Sequence, residues 1–357
     1  MTIIKPSLVI NKAKVFKNIE LIGNKAKSNN LIFRPHFKTH NSIEVASWFR
    51  EFGVDKCTVS SVEMAEKFAS SGWTDITIAF PCNILEINQI NYLNSRVTIN
   101  LLVDNLNTAA FLERNLSSSI NIYIKINTGK DRAGRAIENI DLLDQLASYI
   151  KHSEKLIFKG LLTHAGNSYG ANSKEEILQI HNISLAKMRA AKAYFSKYFN
   201  QCLISIGDTP TVKLADSFPG ADEIRPGVFV YYDLMMQELE VCNQSEIAAY
   251  LVAPICGIYP ERNENNLLIY AGSIHLSKES ILINNENIYG EVIKIDNYSE
   301  STEQFSNNIY IRQLSQEHAL CTVSKEDLKS LKIGQLLGVL PVHACLVANQ
   351  VQNQIIN

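Results

Sequence analysis

The feature that most constrains the fold of this chain is an alternation of short β-rich runs with helical patterns. The runs that predict strands are residues 31–36, 57–60, 76–80, 99–103, 122–126, 157–163, 203–206 and 222–225. Several are almost entirely apolar, as expected of parallel strands that are covered on both faces. Eight such strands alternating with helices predict an α/β fold, a (β/α)8 barrel of TIM type. A doubly wound open sheet is the alternative, because periodicity does not show whether a sheet closes.

The segments between these runs have helical patterns. Apolar residues recur at helical spacing from Val45 to Phe52, and Gly53 is a plausible C-terminal stop. A capping box at residues 60–63 precedes the next helix. Further helices are predicted near residues 15–22, 84–93, 140–150 and 175–198.

The character of the sequence changes after about residue 246. Short β-rich runs are separated by polar or Gly/Asn turns, and helical periodicity is scarce apart from residues 325–332. This pattern predicts a second, mainly antiparallel β domain. We therefore divide the chain into a barrel, residues 1–245, and a β domain, residues 246–357, with residues 1–10 as an alternative part of the β domain.

Bulk composition narrows the class of protein. The 357 residues are 46% hydrophobic and 20% charged, which is typical of a globular protein. A net charge of -2 argues against nucleic acid as a partner. Residues 1–6 do not form a signal peptide and no apolar run is long enough for a membrane span, so we expect no membrane association. Seven scattered cysteines favour a reducing, cytoplasmic location.

Polar clusters follow the predicted strands at the points where a barrel places its active site. Lys38 follows the first strand, between two histidines and close to Arg34. A lysine amine attacks a carbonyl only after it loses its proton, and burial or nearby cations favour that state. The other clusters are residues 128–135, 164–169, 207–211 and 225–227, after the fifth to eighth strands.

The turn Gly207-Asp208-Thr209-Pro210 suits a phosphate, because Thr209 can cap a helix whose backbone N–H groups would face an anion. Asp208 would either point away or cap the helix itself. A reactive lysine together with a phosphate site suggests pyridoxal 5'-phosphate (PLP). Three further residues of the clusters are candidate contacts to PLP or the substrate: Arg132, His164 and Arg225.

His343-Ala344-Cys345 is a candidate metal site near the C-terminus. On a strand, residues i and i+2 point to one face, so these imidazole and thiol groups can converge on one ion. Imidazole with thiolate favours zinc. Two protein ligands leave coordination positions for water and substrate.

Together these segments resemble the D-serine dehydratase and D-threonine aldolase family, PLP enzymes of fold type III with an alanine racemase-like barrel. The matching segments are RPHFKTH (residues 34–40), GKDRAG (129–134), THAG (163–166), GDTPT (207–211), RPG (225–227) and PVHAC (341–345). The resemblance implies that Lys38 bonds to PLP, that Gly207, Asp208 and Thr209 lie at its phosphate, and that His343 and Cys345 hold a divalent metal. It also implies a homodimer, a polar contact from Tyr169, and a position near the active site for His318.

The resemblance favours a lyase that eliminates water from a D-3-hydroxy amino acid, giving a 2-oxo acid and ammonia, because Cys345 is typical of the dehydratase branch. Lys38 would be the base, and zinc, or else manganese, would polarise the β-hydroxyl. The main alternative is an aldolase that cleaves D-threonine or 3-hydroxy-D-aspartate into glycine and an aldehyde. Racemisation would leave the metal pair unexplained. A non-catalytic PLP-binding protein is the alternative from another class, although such proteins generally lack the β domain. Asn41 and residues 346–349 depart from the family pattern and leave the substrate open.

Overall fold

The computed structural model describes residues 3–295, 302–303, 305, 307–352 and 354–356. The chain forms two compact units, one of Ile19–Gly227 and one that combines Met1–Asn18 with Val228–Asn357. The division after Gly227 differs from the boundary predicted at residues 245/246. Its physical reason is that residues just after Gly227 bond to the C-terminal part of the chain: Met235 N donates to Val342 O at 3.2 Å.

The N-terminal elements are β1 (Ser7–Ile10) and α1 (Lys12–Ser28). The strands that follow are β2 (Ile32–Phe33), β3 (Lys56–Val59), β4 (Asp75–Pro81), β5 (Thr98–Val103), β6 (Ile120–Asn127), β7 (Arg135–Ala136), β8 (Leu156–Leu162), β9 (Leu203–Ile206) and β10 (Glu223–Ile224). The helices between them are α2 (Ile43–Phe49), α3 (Val62–Ser70), α4 (Ile87–Asn94), α5 (Leu106–Asn115), α6 (Ile140–Lys151), α7 (Lys174–Phe195) and α8 (Thr209–Leu214).

The parallel sheet of this unit closes into a barrel. Its strand order is β2-β10-β9-β8-β6-β5-β4-β3, with β7 paired to β6. His36 and Thr58 form a parallel bridge between the two ends, where Phe37 N donates to Thr58 O at 2.8 Å. The predicted barrel is therefore confirmed, and the open-sheet alternative is wrong. β2 and β10 are shorter than predicted because Pro35 and Pro226, which have no N–H to donate to a ladder, follow them.

Local sequence explains the helix boundaries. Ser61 caps α3 by accepting a hydrogen bond from Met64 N at 3.1 Å, one residue later than the capping box predicted at residues 60–63 places the cap. After α2, a short 3-10 turn ends at Gly53, whose φ of 75° is the left-handed conformation of a glycine stop. Within the barrel, Leu102, Tyr123 and Leu162 from three neighbouring strands pack into a buried cluster.

The second unit is mainly antiparallel, as predicted. Its strands after β10 are β11 (Ala249–Ile258), β12 (Leu267–Ile269), β13 (Ile281–Ile283), β14 (Glu286–Ile288), β15 (Gly290–Ile295), β16 (Thr302–Glu303), β17 (Ile309–Leu314), β18 (Ala319–Cys321), β19 (Leu336–Pro341) and β20 (Gln354–Ile356). Its short helices are α9 (Leu234–Glu238), α10 (Ser273–Leu276), α11 (Lys325–Lys329) and α12 (Ala344–Gln350). The helical possibility at residues 325–332 corresponds to α11.

The main sheet of this unit has the order β12-β18-β17-β15-β19-β11-β1-β20. β12 also pairs with β11, and β16 pairs with β15. The N-terminal strand β1 lies antiparallel to β11, with Leu8 opposite Leu251. Residues 7–10 therefore belong to this sheet. In the part of the chain that the structure describes, every helix is too short or too polar to cross a bilayer.

Candidate active site

Lys38 lies on a rigid turn at the carboxyl end of β2. On one side of it, the Phe37 ring is fully buried and packs against Phe49, Phe68 and Trp73 with centroid distances of 4.8 to 5.2 Å. On the other side, Thr39 is also fully buried. The backbone N–H of Lys38 donates to His36 Nδ1 at 3.4 Å. The buried Phe37 and Thr39 side chains therefore anchor the turn on either side of the half-buried Lys38 side chain.

The two histidines beside Lys38 are uncharged and differ in role. Burial, followed by the charges of Lys38 and Arg225, holds the pKa of His36 well below its ordinary value. Burial also lowers the pKa of His40 to about 3. The His40 ring stacks on Phe49 at 5.9 Å and its Nδ1 accepts from Ser42 N at 3.0 Å. His40 therefore serves the packing of the turn, whereas His36 belongs to the polar cluster.

The loop after β8 brings two predicted cofactor residues to the turn after β9. His164 Nδ1 donates to the carbonyl oxygen of Gly207. Tyr169 accepts a hydrogen bond at its hydroxyl from Thr209 N at 3.1 Å. At Gly207, a Cβ atom would lie 3.0 Å from Arg225 Cβ. Glycine is thus needed where the backbone passes this arginine.

The helix cap at this turn is Asp208, not Thr209. Its carboxylate accepts hydrogen bonds from Thr211 N at 2.8 Å and from the Ser168 hydroxyl at 3.0 Å. Burial raises the pKa of Asp208 to about 6, against these hydrogen bonds. A carboxylate would repel a phosphate in the same turn. The hydrogen bonds from Thr211 and Ser168 instead engage the Asp208 carboxylate within the protein, as its predicted role of helix cap requires. Phosphate binding at this turn stays a prediction.

Arg225 is anchored by a polar network inside the barrel. Its Nε donates to the Ser205 hydroxyl at 2.6 Å, and that hydroxyl donates to Glu223 at 2.6 Å. Glu223 also accepts from Arg34 Nε at 2.7 Å, and Arg34 pairs with Asp75 at 2.7 Å. Two guanidinium groups and two carboxylates therefore balance each other. Burial lowers the pKa of Arg225 to about 10, so the guanidinium stays charged at neutral pH.

Lys125 is a site residue that the sequence reasoning missed. It lies on β6, 8% exposed, and burial together with Arg225 and Arg132 lowers its pKa to about 7. Its signal in the sequence was a charged residue inside a run of isoleucines, residues 122–126. Arg132 itself is exposed in the loop after β6.

The electrostatics of this centre fit PLP. Burial first, then four basic side chains, hold the pKa of His164 well below its ordinary value: Lys125, Arg132, Lys38 and Arg225. Such a basic set suits a phosphate dianion, and a lysine amine suits an aldehyde. Asn167 Oδ1 is buried here without a hydrogen-bond partner among the described residues. A polar cofactor bound here would supply hydrogen-bond partners to these basic side chains and to Asn167 Oδ1.

The second unit contains His343 and Cys345, but not on a strand as predicted. β19 ends at Pro341, and α12 begins at Ala344 with His343 as its N-cap. The strand prediction was wrong because Asp233, far away in sequence, accepts from Ala344 N at 3.0 Å and stabilises a helix start. The pair nevertheless converges: a hydrogen bond joins the two side chains and helps to raise the pKa of His343.

Three groups surround this pair. Glu279 Oε2 lies 2.6 Å from His343 Nδ1. Asp233 is buried, and burial raises its pKa to about 6. Burial, followed by the charge of Cys345, raises the pKa of Tyr231, whose hydroxyl is buried without a hydrogen-bond partner in the described part of the chain. Opposing burial, the charges of Cys345, Asp233 and Glu279 raise the pKa of His343 to about 10.

Imidazole and thiol are the donor types that zinc prefers, so the pair fits a divalent metal. The described residues contain no group of three or more His, Cys, Asp or Glu side chains arranged to hold a metal ion. His343 and Cys345 are therefore the candidate ligands among the described residues. His318 is exposed in the turn between β17 and β18, and its role stays a prediction.

Comparison with known proteins identifies the class. The family model described as "Alanine racemase, N-terminal domain" matches residues 10–234. A second model, described as "Putative serine dehydratase domain", matches residues 248–356. The chain therefore belongs to the alanine racemase N-terminal domain family.

Curated relatives resemble the chain over nearly its full length. It is 26% identical to D-threo-3-hydroxyaspartate dehydratase of Delftia sp. (strain HT23), covering 98% of this chain and 93% of that protein. It is also 26% identical to D-serine dehydratase of Dictyostelium discoideum, covering 96% and 90%.

Solved structures of similar proteins have the same fold as this chain over nearly its full length. The Delftia enzyme has a TM-score of 0.89 at 26% identity, covering 98% of this chain and 93% of that one. A metal-free cysteine-to-alanine mutant of a D-threo-3-hydroxyaspartate dehydratase has a TM-score of 0.88 at 25% identity, with the same coverage. D-threonine aldolase from Filomicrobium marinum has a TM-score of 0.83 at 18% identity, covering 99% and 91%, which shows a shared fold.

Proposed function

We propose that this protein is a PLP- and metal-dependent lyase that eliminates water from a D-3-hydroxy amino acid, giving a 2-oxo acid and ammonia. The observation that carries the proposal is the presence in one chain of Lys38 on a clamped turn in a basic barrel centre and of the convergent His343–Cys345 pair. Full-length similarity to dehydratases of D-serine and D-threo-3-hydroxyaspartate supports the same reaction.

The barrel residues would hold the cofactor and move the first proton. Lys38 is the covalent anchor, Arg132, Arg225 and Tyr169 are polar contacts, and Gly207 and Thr209 lie at the phosphate. When bound, PLP supplies a ring that accepts the negative charge developing at the substrate Cα. Once the substrate amine has taken its place on the cofactor, Lys38 Nζ would take the Cα proton as a general base. Arg225 stays charged. His164 stays neutral, and its Nδ1–H group donates to Gly207 O.

His343 and Cys345 would hold the metal, with zinc preferred over manganese because of the thiol. A bound divalent ion supplies Lewis acidity to the β-hydroxyl and so makes it a better leaving group. The unpartnered Tyr231 hydroxyl beside Cys345 could bond to a water or substrate oxygen at this site. We further propose a homodimer and a cytoplasmic location, and the seven scattered cysteines support that location.

The test is product analysis with purified, PLP-loaded protein. D-serine, D-threonine and 3-hydroxyaspartate would each be supplied with zinc or manganese. We expect a 2-oxo acid and ammonia in equal amounts, and the substrate with the highest kcat/KM identifies the preferred side chain. Glycine with an aldehyde would instead establish the aldolase, and would mean that Cys345 does not distinguish the two reactions.

A further inference from the structure

The residue of interest is Glu279, which lies between α10 and β13 and is absent from the predicted site. Its Oε2 atom lies 2.6 Å from His343 Nδ1. The side chains of His343 and Glu279 are 28% and 44% exposed. A carboxylate can only accept a hydrogen bond from a ring N–H here, so the Nδ1 proton points at Glu279. Nε2 is then the ring nitrogen with a lone pair for a metal.

The backbone of His343 and its ring are held by different residues. Asp233 fixes the adjoining peptide by accepting from Ala344 N at 3.0 Å and also accepts from Met236 N at 3.0 Å. These contacts place the helix start but leave the rotation of the imidazole undetermined. Two side chains bond to the ring, Cys345 and Glu279, and the Glu279 carboxylate fixes the tautomer because it accepts from Nδ1.

Glu279 does not complete a three-ligand metal site. Among the residues that the structure describes, no three His, Cys, Asp or Glu side chains converge in that way. Metal-bound histidines commonly donate their other ring N–H to a carboxylate, which orients the ring and strengthens it as a ligand. The 2.6 Å contact has this geometry.

We infer that Glu279 is a positioning residue that orients His343 so that Nε2 and the Cys345 thiolate share one divalent cation. This inference rests on the proposed metal site. Loss of such a supporting carboxylate typically weakens metal binding by about 10- to 100-fold.

The experiment measures zinc affinity of the full-length, PLP-loaded protein by competition with a chromogenic chelator. We expect Glu279→Ala to weaken zinc binding by about 10- to 100-fold. Glu279→Gln should retain most of the affinity, because its amide oxygen accepts the same hydrogen bond but is a poor zinc ligand. PLP absorbance should be unchanged in both variants. Glu264→Ala removes an exposed carboxylate of the same unit and serves as the matched control.

Three results would overturn the inference. Unchanged zinc affinity in Glu279→Ala would mean that Glu279 does not act on the metal. Equal losses in both variants, with an altered absorption spectrum of the cobalt-substituted protein, would make Glu279 a ligand instead. Zinc binding that survives Cys345→Ala would remove the metal site itself, and so would separate failure of the proposed function from failure of the Glu279 assignment alone.

Discussion

Arg225 in the barrel and His343 in the second unit are both candidate functional basic side chains, and the protein holds them very differently. Arg225 is 4% exposed and bonds to Ser205 and to the carbonyl oxygen of Thr163. The His343 side chain is 28% exposed, and a half-exposed carboxylate orients its ring. The barrel centre is therefore fixed by the fold, whereas the metal pair depends on a few local contacts. Substitutions in the barrel centre should therefore lower both the free energy of unfolding and the rate of the reaction. Substitutions at the metal pair should mainly weaken metal binding.

The largest effect is expected at Lys38. Lys38→Ala removes the general base, and positioned bases contribute about 10²- to 10⁴-fold to rate. It also removes the covalent anchor, so we expect loss of the characteristic PLP absorbance along with turnover. Steady-state kinetics and absorption spectra check both. Lys187→Ala, on the surface of α7, is the control, and near-normal turnover in Lys38→Ala would contradict the assignment.

Cys345→Ala tests the metal pair of the second unit. Removing one of two metal ligands should abolish bound zinc, and elimination should fall on the order of 10²- to 10³-fold, because Lewis-acid assistance contributes several kcal/mol. PLP absorbance and the unfolding midpoint should stay close to those of the wild type. Metal analysis and kinetics give the answer, with the exposed Cys256→Ala as the matched control. Elimination at close to the wild-type rate by metal-free protein would refute the Lewis-acid role.

Glu223→Ala tests whether the barrel network is structural. The substitution leaves the buried guanidinium groups of Arg34 and Arg225 without their shared carboxylate. Breaking a buried ion pair in this way typically costs about 3–5 kcal/mol in the free energy of unfolding. Urea denaturation of the variant measures the loss, and Glu223→Gln, which keeps an acceptor for Ser205, should lose less. A loss below about 1 kcal/mol would show that the network contributes little.

Much of the fold could be predicted from local sequence because strand and helix periodicity is itself local. The eight barrel strands and the stop at Gly53 are examples. The helix start at Ala344 was missed because it depends on Asp233, a partner 111 residues away. The division into compact units after Gly227 likewise depends on contacts that are distant in sequence, since residues 228–245 contain that partner.

The candidate site shows a related limit. Reasoning from strand ends singled out Lys38, His164 and Arg225 but passed over Lys125, a buried lysine within β6, two residues before the strand ends at Asn127. It also missed Glu279, because a carboxylate between a short helix and a strand has no distinctive spacing to His343. Side chains that support or surround a site are defined by three-dimensional contacts, and a single sequence does not reveal those.

The smallest effect concerns Lys125, whose pKa burial lowers from 10.5 to about 7. Between these values the unfolded chain binds a proton that the folded barrel does not. The free energy of unfolding of PLP-free protein should therefore rise with pH, by roughly 1.4 kcal/mol per unit from this residue. Lys125→Met removes that contribution, so wild type should gain about 2–3 kcal/mol relative to the variant between about pH 7 and 9.

Denaturation at several pH values measures the difference in slope between wild type and Lys125→Met. The window stops near pH 9 because burial raises the pKa of thiols such as Cys57, and these groups contribute the opposite slope at higher pH. Lys187→Met controls for loss of a surface lysine. Parallel profiles for wild type and Lys125→Met would mean that Lys125 keeps its proton inside the barrel. In that case the barrel centre would hold one more buried positive charge, and Asp104, whose charge raises the pKa of Lys125, would be the compensating carboxylate to test.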